Sequence, residues 1–346
     1  LKTCKLKVLS LKDCGVNSLN FQPLATSPLH KLYVINCPLK KIDVSPLKNT
    51  LTELWLGTLQ NTYFWEEINH KQTKPKYQLL DLSKMKKLKR VYACGVASLK
   101  TVKLKDTKTK QGIRSLLELH LYGTGIRTLD ATAAKNLKRL FVGDRIRKLT
   151  VDKCKKLKEI GMINLGSKQA ATIKSSSVQH IQYQGKTLKN LSFSKCPKLY
   201  TLSIKCTKVG TVNLRSNKRL HYMTLNSKKT GKVVYPKVST KGWHDCCDLV
   251  ETNYYKNLDE YKNDPDAKGV YKEYVGYTLE YPTKILDISA WTSLNKTVKR
   301  CMFGYGDFDH EKCATKKIII NKKLRKADKK WIKKFAKKWH VKVVEK

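Results

Sequence analysis

One short strand-like frame recurs through the first 225 residues: an apolar residue, two variable ones, a second apolar residue, one variable residue and a third apolar one. It reads as Leu29-His-Lys-Leu32-Tyr-Val34, as Leu116-Leu-Glu-Leu119-His-Leu121 and as Leu199-Tyr-Thr-Leu202-Ser-Ile204. The same frame fits at Leu6, Leu51, Leu88, Leu137, Leu157, Val178 and Leu220. Five starts, from Leu137 to Leu220, stand 20 or 21 residues apart. A period in that range specifies a solenoid, because one such repeat cannot bury its own apolar face and neighbours must stack to share a core.

Regular repeats have a second apolar pair further on, as in Leu149-Thr-Val151, Leu191-Ser-Phe193 and Val212-Asn-Leu214. Side chains alternate along a strand, so each pair points into the coil and each turn is expected to hold two short extended segments joined by bends. Leu80-Asp-Leu-Ser-Lys84, Ile42-Asp-Val-Ser45 and Asn190-Leu-Ser-Phe-Ser-Lys-Cys-Pro-Lys-Leu199 resemble the leucine-rich repeats of bacterial surface and secreted proteins, the internalin-like kind, over roughly residues 1 to 235. The resemblance implies an α/β solenoid that is mostly β, with short irregular or 3-10 segments on its convex side. It also implies a recognition or adhesion scaffold outside the cell or on its surface.

Two repeats are stretched: 37 residues separate Leu51 from Leu88, and 28 separate Leu88 from Leu116. The surpluses fall near 60–76 and 105–113 and mark loops of a solenoid. The first, with Tyr63, Phe64 and Trp65, reads equally as an enlarged binding loop or as a small helix packed on the coil. After residue 236 the period breaks, and 237–277 is a Tyr-rich, acidic insertion. Degenerate repeats are expected in 278–346, where Ile285-Leu-Asp-Ile-Ser289 and Val298-Lys-Arg-Cys-Met-Phe303 return to the repeat grammar. The chain closes as strand, helix, strand, with Ala327, Trp331, Phe335 and Trp339 recurring every four residues and Leu324, Ile332 and Ala336 beside them, the pattern of a helix capping an open core.

Between the second and third apolar positions lies a side chain that faces outward. Successive repeats place Ser10, Tyr33, Trp55, Tyr92, His120, Phe141 and Gly161 there. Five consecutive rungs are thus aromatic or imidazole, and Tyr33, Trp55, Tyr92, His120, Tyr122 and Phe141 form the expected ligand face, for a host or bacterial surface protein or a glycan. The bland reading of the same column is cross-strand stacking for stability. Two residues earlier the rungs hold Lys31, Glu53, Arg90, Glu118, Arg139 and Glu159, a ladder of alternating sign that fixes strand register and cancels its own field.

The whole chain is strongly basic, with 72 Lys and Arg against 27 Asp and Glu and a formal charge of +45. Such a field attracts polyanions, among them teichoic acid, sulfated glycans and nucleic acid, while lysine also serves simply to keep a long convex surface solvated. Because the outward ladder is neutral, any anionic polymer is expected on the convex or C-terminal lysines instead. No run of 18 apolar residues exists to span a membrane, and Leu1 opens on repeat-like sequence without a leader, so a mature extracellular or surface protein, monomeric, is expected.

Eleven cysteines are too few for a disulfide framework. Cys14 and Cys37 share one repeat position, and Cys154, Cys196 and Asn217 share another. These four cysteines read as buried thiols bonding loop backbone. No CxxC pair, HExxH or phosphate loop is present, and neither a metal nor a cofactor is expected. Cys246-Cys-Asp248, next to His244, is similar to the Cys-x-Asp of bacterial ubiquitin ligases that follow leucine-rich repeats. Their catalytic domain does not fit the roughly 100 residues here, so an enzyme built on Cys246 or Cys247 is the weaker reading.

Overall fold

The computed structural model describes residues 5–58, 75–143, 145–165, 173–237, 276–279, 283–294, 299 and 315–346. The chain packs as two compact units, Leu1–Gly166 with Ala171–Val178, and Ser167–Ala170 with Gln179–Lys346. Most of the 60–76 stretch and of the 237–277 insertion, with His244, Cys246 and Cys247, lies outside the described residues, as does Val298-Lys-Arg-Cys-Met-Phe303 apart from Lys299.

The first unit contains β1 (Val8–Lys12), β2 (Lys31–Ile35), β3 (Glu53–Gly57), β4 (Leu79–Asp81), β5 (Arg90–Cys94), β6 (Thr101–Lys103), β7 (Glu118–Leu121), β8 (Thr128–Asp130), β9 (Arg139–Val142), β10 (Lys148–Thr150) and β11 (Glu159–Leu165). Its main sheet is parallel, in the order β1-β2-β3-β5-β7-β9-β11, one strand for each repeat frame. The small parallel pairs β4–β6 and β8–β10 come from the second apolar segments. Two 3-10 turns, Gln22–Leu24 and Ser45–Leu47, each with a proline near their start, complete the early repeats.

The register sets equivalent residues side by side. Leu32, Leu54, Val91, Leu119, Leu140 and Ile160 form one continuous inward column without solvent exposure. Fully burying each such side chain favours folding by about 1.5–3 kcal/mol, and that burial exists only because the next turn covers it. The turns behind the strands repeat an Asp-x-Ser/Thr device: Asp81 Oδ1 accepts from the backbone N–H and hydroxyl of Ser83, and Asp130 Oδ1 from those of Thr132. The 105–113 surplus is a tight antiparallel excursion bridged at Lys105 and Gly112, with Asp106 Oδ1 accepting from the N–H groups of Lys108 and Thr109.

The second unit departs from the expected pair of short segments. β12 (His180–Ser192), β13 (Thr201–Asn213) and β14 (Tyr222–Val234) are single strands of 13 residues that run through the bend. The linking residues of β13 keep pointing apolar side chains inward, Cys206, Val209 and Val212 all being buried, so the ladder continues without a break. The first half of β14 pairs with β15 (Gly276–Leu279) and the second half with β16 (Thr283–Asp287), followed by β17 (Lys317–Ile320) and β18 (Lys342–Glu345), all parallel. Asp287 and Ser289 repeat the Asp-x-Ser turn of the earlier coils.

Between β17 and β18 runs α1 (Lys326–Lys338). Its buried residues are Asp328, Ile332 and Ala336, with Leu324 buried just before it; of the series spaced by four, Ala327 is exposed and Trp331, Phe335 and Trp339 are only half-buried beside them. Trp331 and Phe335 stack at 5.7 Å. The reason is Asp328, whose carboxylate is drawn inward to accept from the Leu294 N–H (3.0 Å) and Arg325 Nε (2.8 Å) while Lys299 Nζ stands 2.8 Å away. That anchor rotates the helix so that Ile332 and Ala336 follow Asp328 into the core.

Of the four cysteines expected to be buried, Cys37, Cys154 and Cys196 are, whereas Cys14 is only half-buried, its Sγ donating to Lys12 O at 3.3 Å. Cys14, Cys37, Cys94, Cys154, Cys196 and Cys206 are free thiols. Cys37 Sγ donates to Ile35 O, Cys154 Sγ to Ala131 O at 3.1 Å, and Asn217 Nδ2 to the carbonyls of Phe193 and Cys196 in the preceding turn.

Candidate functional site

The two outward columns of the first unit meet on one face of the main sheet. Tyr33 lies opposite Trp55, Trp55 opposite Tyr92, Tyr92 opposite His120, and His120 opposite Phe141. Strands in such a sheet are spaced about 4.8 Å apart, close to the distance at which rings stack. Ring centroids are 5.9 Å apart for Tyr33 and Trp55, 3.9 Å for Trp55 and Tyr92, 4.4 Å for Tyr92 and His120, and 4.5 Å for His120 and Phe141. Interplanar angles of 18° to 32° make this one continuous stack.

The charge ladder runs beside it in the same register. Glu53 Oε2 stands 4.0 Å from Lys31 Nζ and 3.5 Å from Arg90 Nη1. Glu118 Oε1 lies 3.7 Å from Arg90 Nε and 3.9 Å from Arg139 Nη1, and Glu159 Oε2 lies 3.6 Å from Arg139 Nε. Each internal glutamate therefore sits between two cations. The carboxylates are the sunken members, with Glu118 at 18% exposure, whereas the Arg90 and Arg139 side chains remain 50% and 57% exposed.

What the sequence did not reveal is that the two ladders are bonded together. Glu53 Oε1 accepts from the Tyr33 hydroxyl at 3.2 Å and from Trp55 Nε1 at 2.7 Å, and Glu118 Oε2 accepts from the Tyr92 hydroxyl at 3.2 Å. Burial, and then the negative Glu118 that its hydroxyl meets, push the Tyr92 phenol up to about 12. The polar tips of Tyr33, Trp55 and Tyr92 are thus held by the carboxylates whose charge the arginines balance, so the two ladders brace each other. The signal was legible in principle, since columns two residues apart point to the same side of a strand.

Of the six expected face residues, Tyr33, Trp55, Tyr92 and His120 are half-buried on the face. Tyr122 and Phe141 are instead inside, at 4% and 5% exposure, clustered with Cys94. Their rings lie 5.6 Å apart, and Tyr122 meets His120 edge-on at 6.0 Å. The expectation that these two are open to a ligand is corrected by the end of the stack: the next rung is Gly161, and Phe141 folds down over it. A Cβ at Gly161 would stand 2.2 Å from Phe141 Cδ1. Gly161→Ala is therefore expected to lift the Phe141 ring and lower stability by about 1–3 kcal/mol in urea unfolding, the range for overpacking, with Phe141→Leu in the same chain restoring much of the loss.

Stacking also decides what the face can offer. Rings 3.9 to 4.5 Å apart occupy each other's faces, and the Trp55 N–H and Tyr92 O–H are already donated to Glu53 and Glu118, so the middle of the ladder offers C–H edges and a phenol oxygen flanked by guanidinium groups. At the other end Tyr33 has Ser10 as its neighbour on β1, a small residue that does not continue the stack.

The repeat frame, the one-strand-per-repeat parallel sheet and the inward leucine column together define a leucine-rich-repeat solenoid. No protein-family model and no curated protein matches the chain. Among solved structures it is similar to the functional domain of InlJ from Listeria monocytogenes, which includes a cysteine ladder. That alignment has 14% identity and a TM-score of 0.28, covers 84% of this chain and takes in 66% of the other, just under two thirds of its length. Among the described residues no helix is long and apolar enough to cross a membrane, and no cluster of His, Cys, Asp or Glu is arranged to hold a metal ion.

Proposed function

We propose that the chain is a non-catalytic recognition scaffold of a bacterial surface or secreted protein, binding a protein or glycan ligand on the outward face of the first unit. The observation that supports it is the uninterrupted stack from Tyr33 to Phe141, tied by its tips to Glu53 and Glu118. Preorganised aromatic and arginine side chains lose little freedom on binding and are the residue types that dominate recognition energetics. Tyr33 is the anchor in this reading, with Trp55, Tyr92 and His120 contributing ring edges and Arg90 and Arg139 a charged border. The bacterial and extracellular setting rests on the repeat grammar of segments such as Leu80-Asp-Leu-Ser-Lys84.

Truncating Trp55 or Tyr92 to alanine removes stacking as well as ligand-facing area, at about 0.5–1.5 kcal/mol per ring pair, so such variants mix stability with binding. Tyr33→Phe with Tyr92→Phe keeps the stack and deletes only the hydroxyls. A glycan and protein array at physiological salt identifies the ligand, and the double variant is then expected to bind it at least about tenfold more weakly, a loss of about 1.4 kcal/mol, with a melting temperature within a few degrees of the parent. Unchanged binding by this variant and by Trp55→Leu would move the site off this face.

A further inference from the structure

The charges of the first unit are distributed unequally around its main sheet. On the face, every cation of the ladder has a glutamate beside it. On the flank where the chain enters the strands, the cations stand without one. The turn at 85–89 presents Lys86, Lys87 and Lys89, all exposed. The turn at 133–138 presents Lys135 and Lys138, and the turn at 153–158 presents Lys155, Lys156 and Lys158, again exposed. Arg114 fills the repeat between. None of these nine cations has an anionic partner among the described residues. The acids of this flank open the turns: Asp81 lies 3.9 Å from Lys103 Nζ, Asp130 binds Thr132, and Asp152 precedes the last turn.

The turns are locked in register. The Leu117 N–H donates to Lys89 O, Lys138 N–H to Leu117 O, and Lys158 N–H to Lys138 O, at 2.8 to 2.9 Å. Successive turns therefore advance by one strand spacing, about 4.8 Å, and the cations form a straight ridge. On the opposite flank the cations are not repeated from turn to turn: residues 94–99 and 122–126 contain no charged side chain, and exposed Arg145, Arg147 and Lys148 follow only β9. A ridge of unpaired charge at fixed spacing fits a linear polyanion, and its residue types narrow the class. Eight of the nine cations are lysine, a point charge suited to single anionic oxygens rather than to planar two-point recognition. The turns at 85–89, 133–138 and 153–158 hold no aromatic side chain on which a base could stack.

We infer that this ridge binds a linear, base-free polymer of phosphodiesters, on a flank distinct from the aromatic face and independently of what that face binds. The test uses synthetic poly(glycerol phosphate) as the probe, with single-stranded oligothymidylate of equal charge as comparison. The ridge variant is Lys138→Ala, Lys155→Ala, Lys156→Ala, Lys158→Ala. The control removes equal charge from the second unit, by Lys322→Ala, Lys323→Ala, Lys326→Ala, Lys330→Ala. The ridge variant is expected to bind at least about tenfold more weakly, and its log affinity against log salt to be shallower by about 3, near 0.7 for each phosphate that a lysine no longer neutralises. The control is expected to stay within about twofold of the parent. Equal losses in both variants, or no loss in either, would overturn the ridge as a site and leave only the net charge. Oligothymidylate bound as tightly as poly(glycerol phosphate) would overturn the base-free assignment in favour of single-stranded nucleic acid.

Discussion

Replacing Asp328 by alanine is expected to lower the unfolding free energy of the second unit by about 3–5 kcal/mol, the range for removing one partner of a buried charge cluster. The carboxylate is 1% exposed. Burial by itself would raise its pKa, yet hydrogen bonds from Lys299, Arg325 and the Leu294 N–H hold it below the usual aspartate range. A depressed carboxyl stabilises the fold above its unfolded pKa and ceases to do so as pH falls through the depressed value, so the benefit is fully present at neutral pH. Alanine leaves Lys299 and Arg325 without their anion and Leu294 N–H without its acceptor, and removes the group that turns Ile332 and Ala336 inward. Urea unfolding followed by tryptophan fluorescence reads the loss directly, since Lys299 also lies over the Trp331 ring at 5.4 Å. A loss below about 1 kcal/mol would show that Ile332 and Ala336 hold the helix without the carboxylate.

The second large effect is expected on acidification of the first unit. His120 is packed between Tyr92 and Phe141, and its Nε2 is buried without a hydrogen-bond partner. Burial, with the positive Arg139 adding to it, pulls its pKa down to about 4, although Glu118 Oε2 stands 3.9 Å away. A histidine depressed in the fold contributes its full stability above the ordinary pKa near 6.5 and loses it as pH falls from there through about 4. The loss grows by about 1.4 kcal/mol for each pH unit below 6.5, so about 2 kcal/mol is expected to be gone at pH 5. His120→Phe keeps an aromatic ring in the stack and has nothing to protonate, so its unfolding free energy is expected to stay nearly level between pH 7 and 5 while the parent declines. Parallel declines would assign the acid sensitivity to other groups.

The periodic leucines made the solenoid, the strand positions and the outward columns readable, because a residue's place in a stacked coil depends only on its distance from the last rung. The inward cysteines were equally local, Cys37 bonding backbone of its own turn and Cys154 that of the preceding one. The alternating charges were visible as a pattern, and the structure places each one beside its partner. The depth of a ring was not readable in this way. Phe141 and Tyr33 hold the same repeat position, but one neighbour is Gly161 and the other Ser10, and the space above a glycine admits a ring that a Cβ would exclude.

The helical stripe of α1 shows the same limit from another side. Spacing of four marks two adjacent stripes, and the aromatic one was the stronger signal, yet a single aspartate bonded to Arg325, Lys299 and Leu294 decides which turns inward. By itself, then, the sequence determined the repeat, its direction and what each rung displays, since these follow from short-range periodicity and from the need of every turn to share its core. Only the tertiary structure decided which displayed rings sink, how their tips are tied to Glu53 and Glu118, and which lysines are left unpaired. Those outcomes depend on side chains some 20 to 40 residues apart meeting at distances of a few ångströms, and no local pattern encodes such meetings.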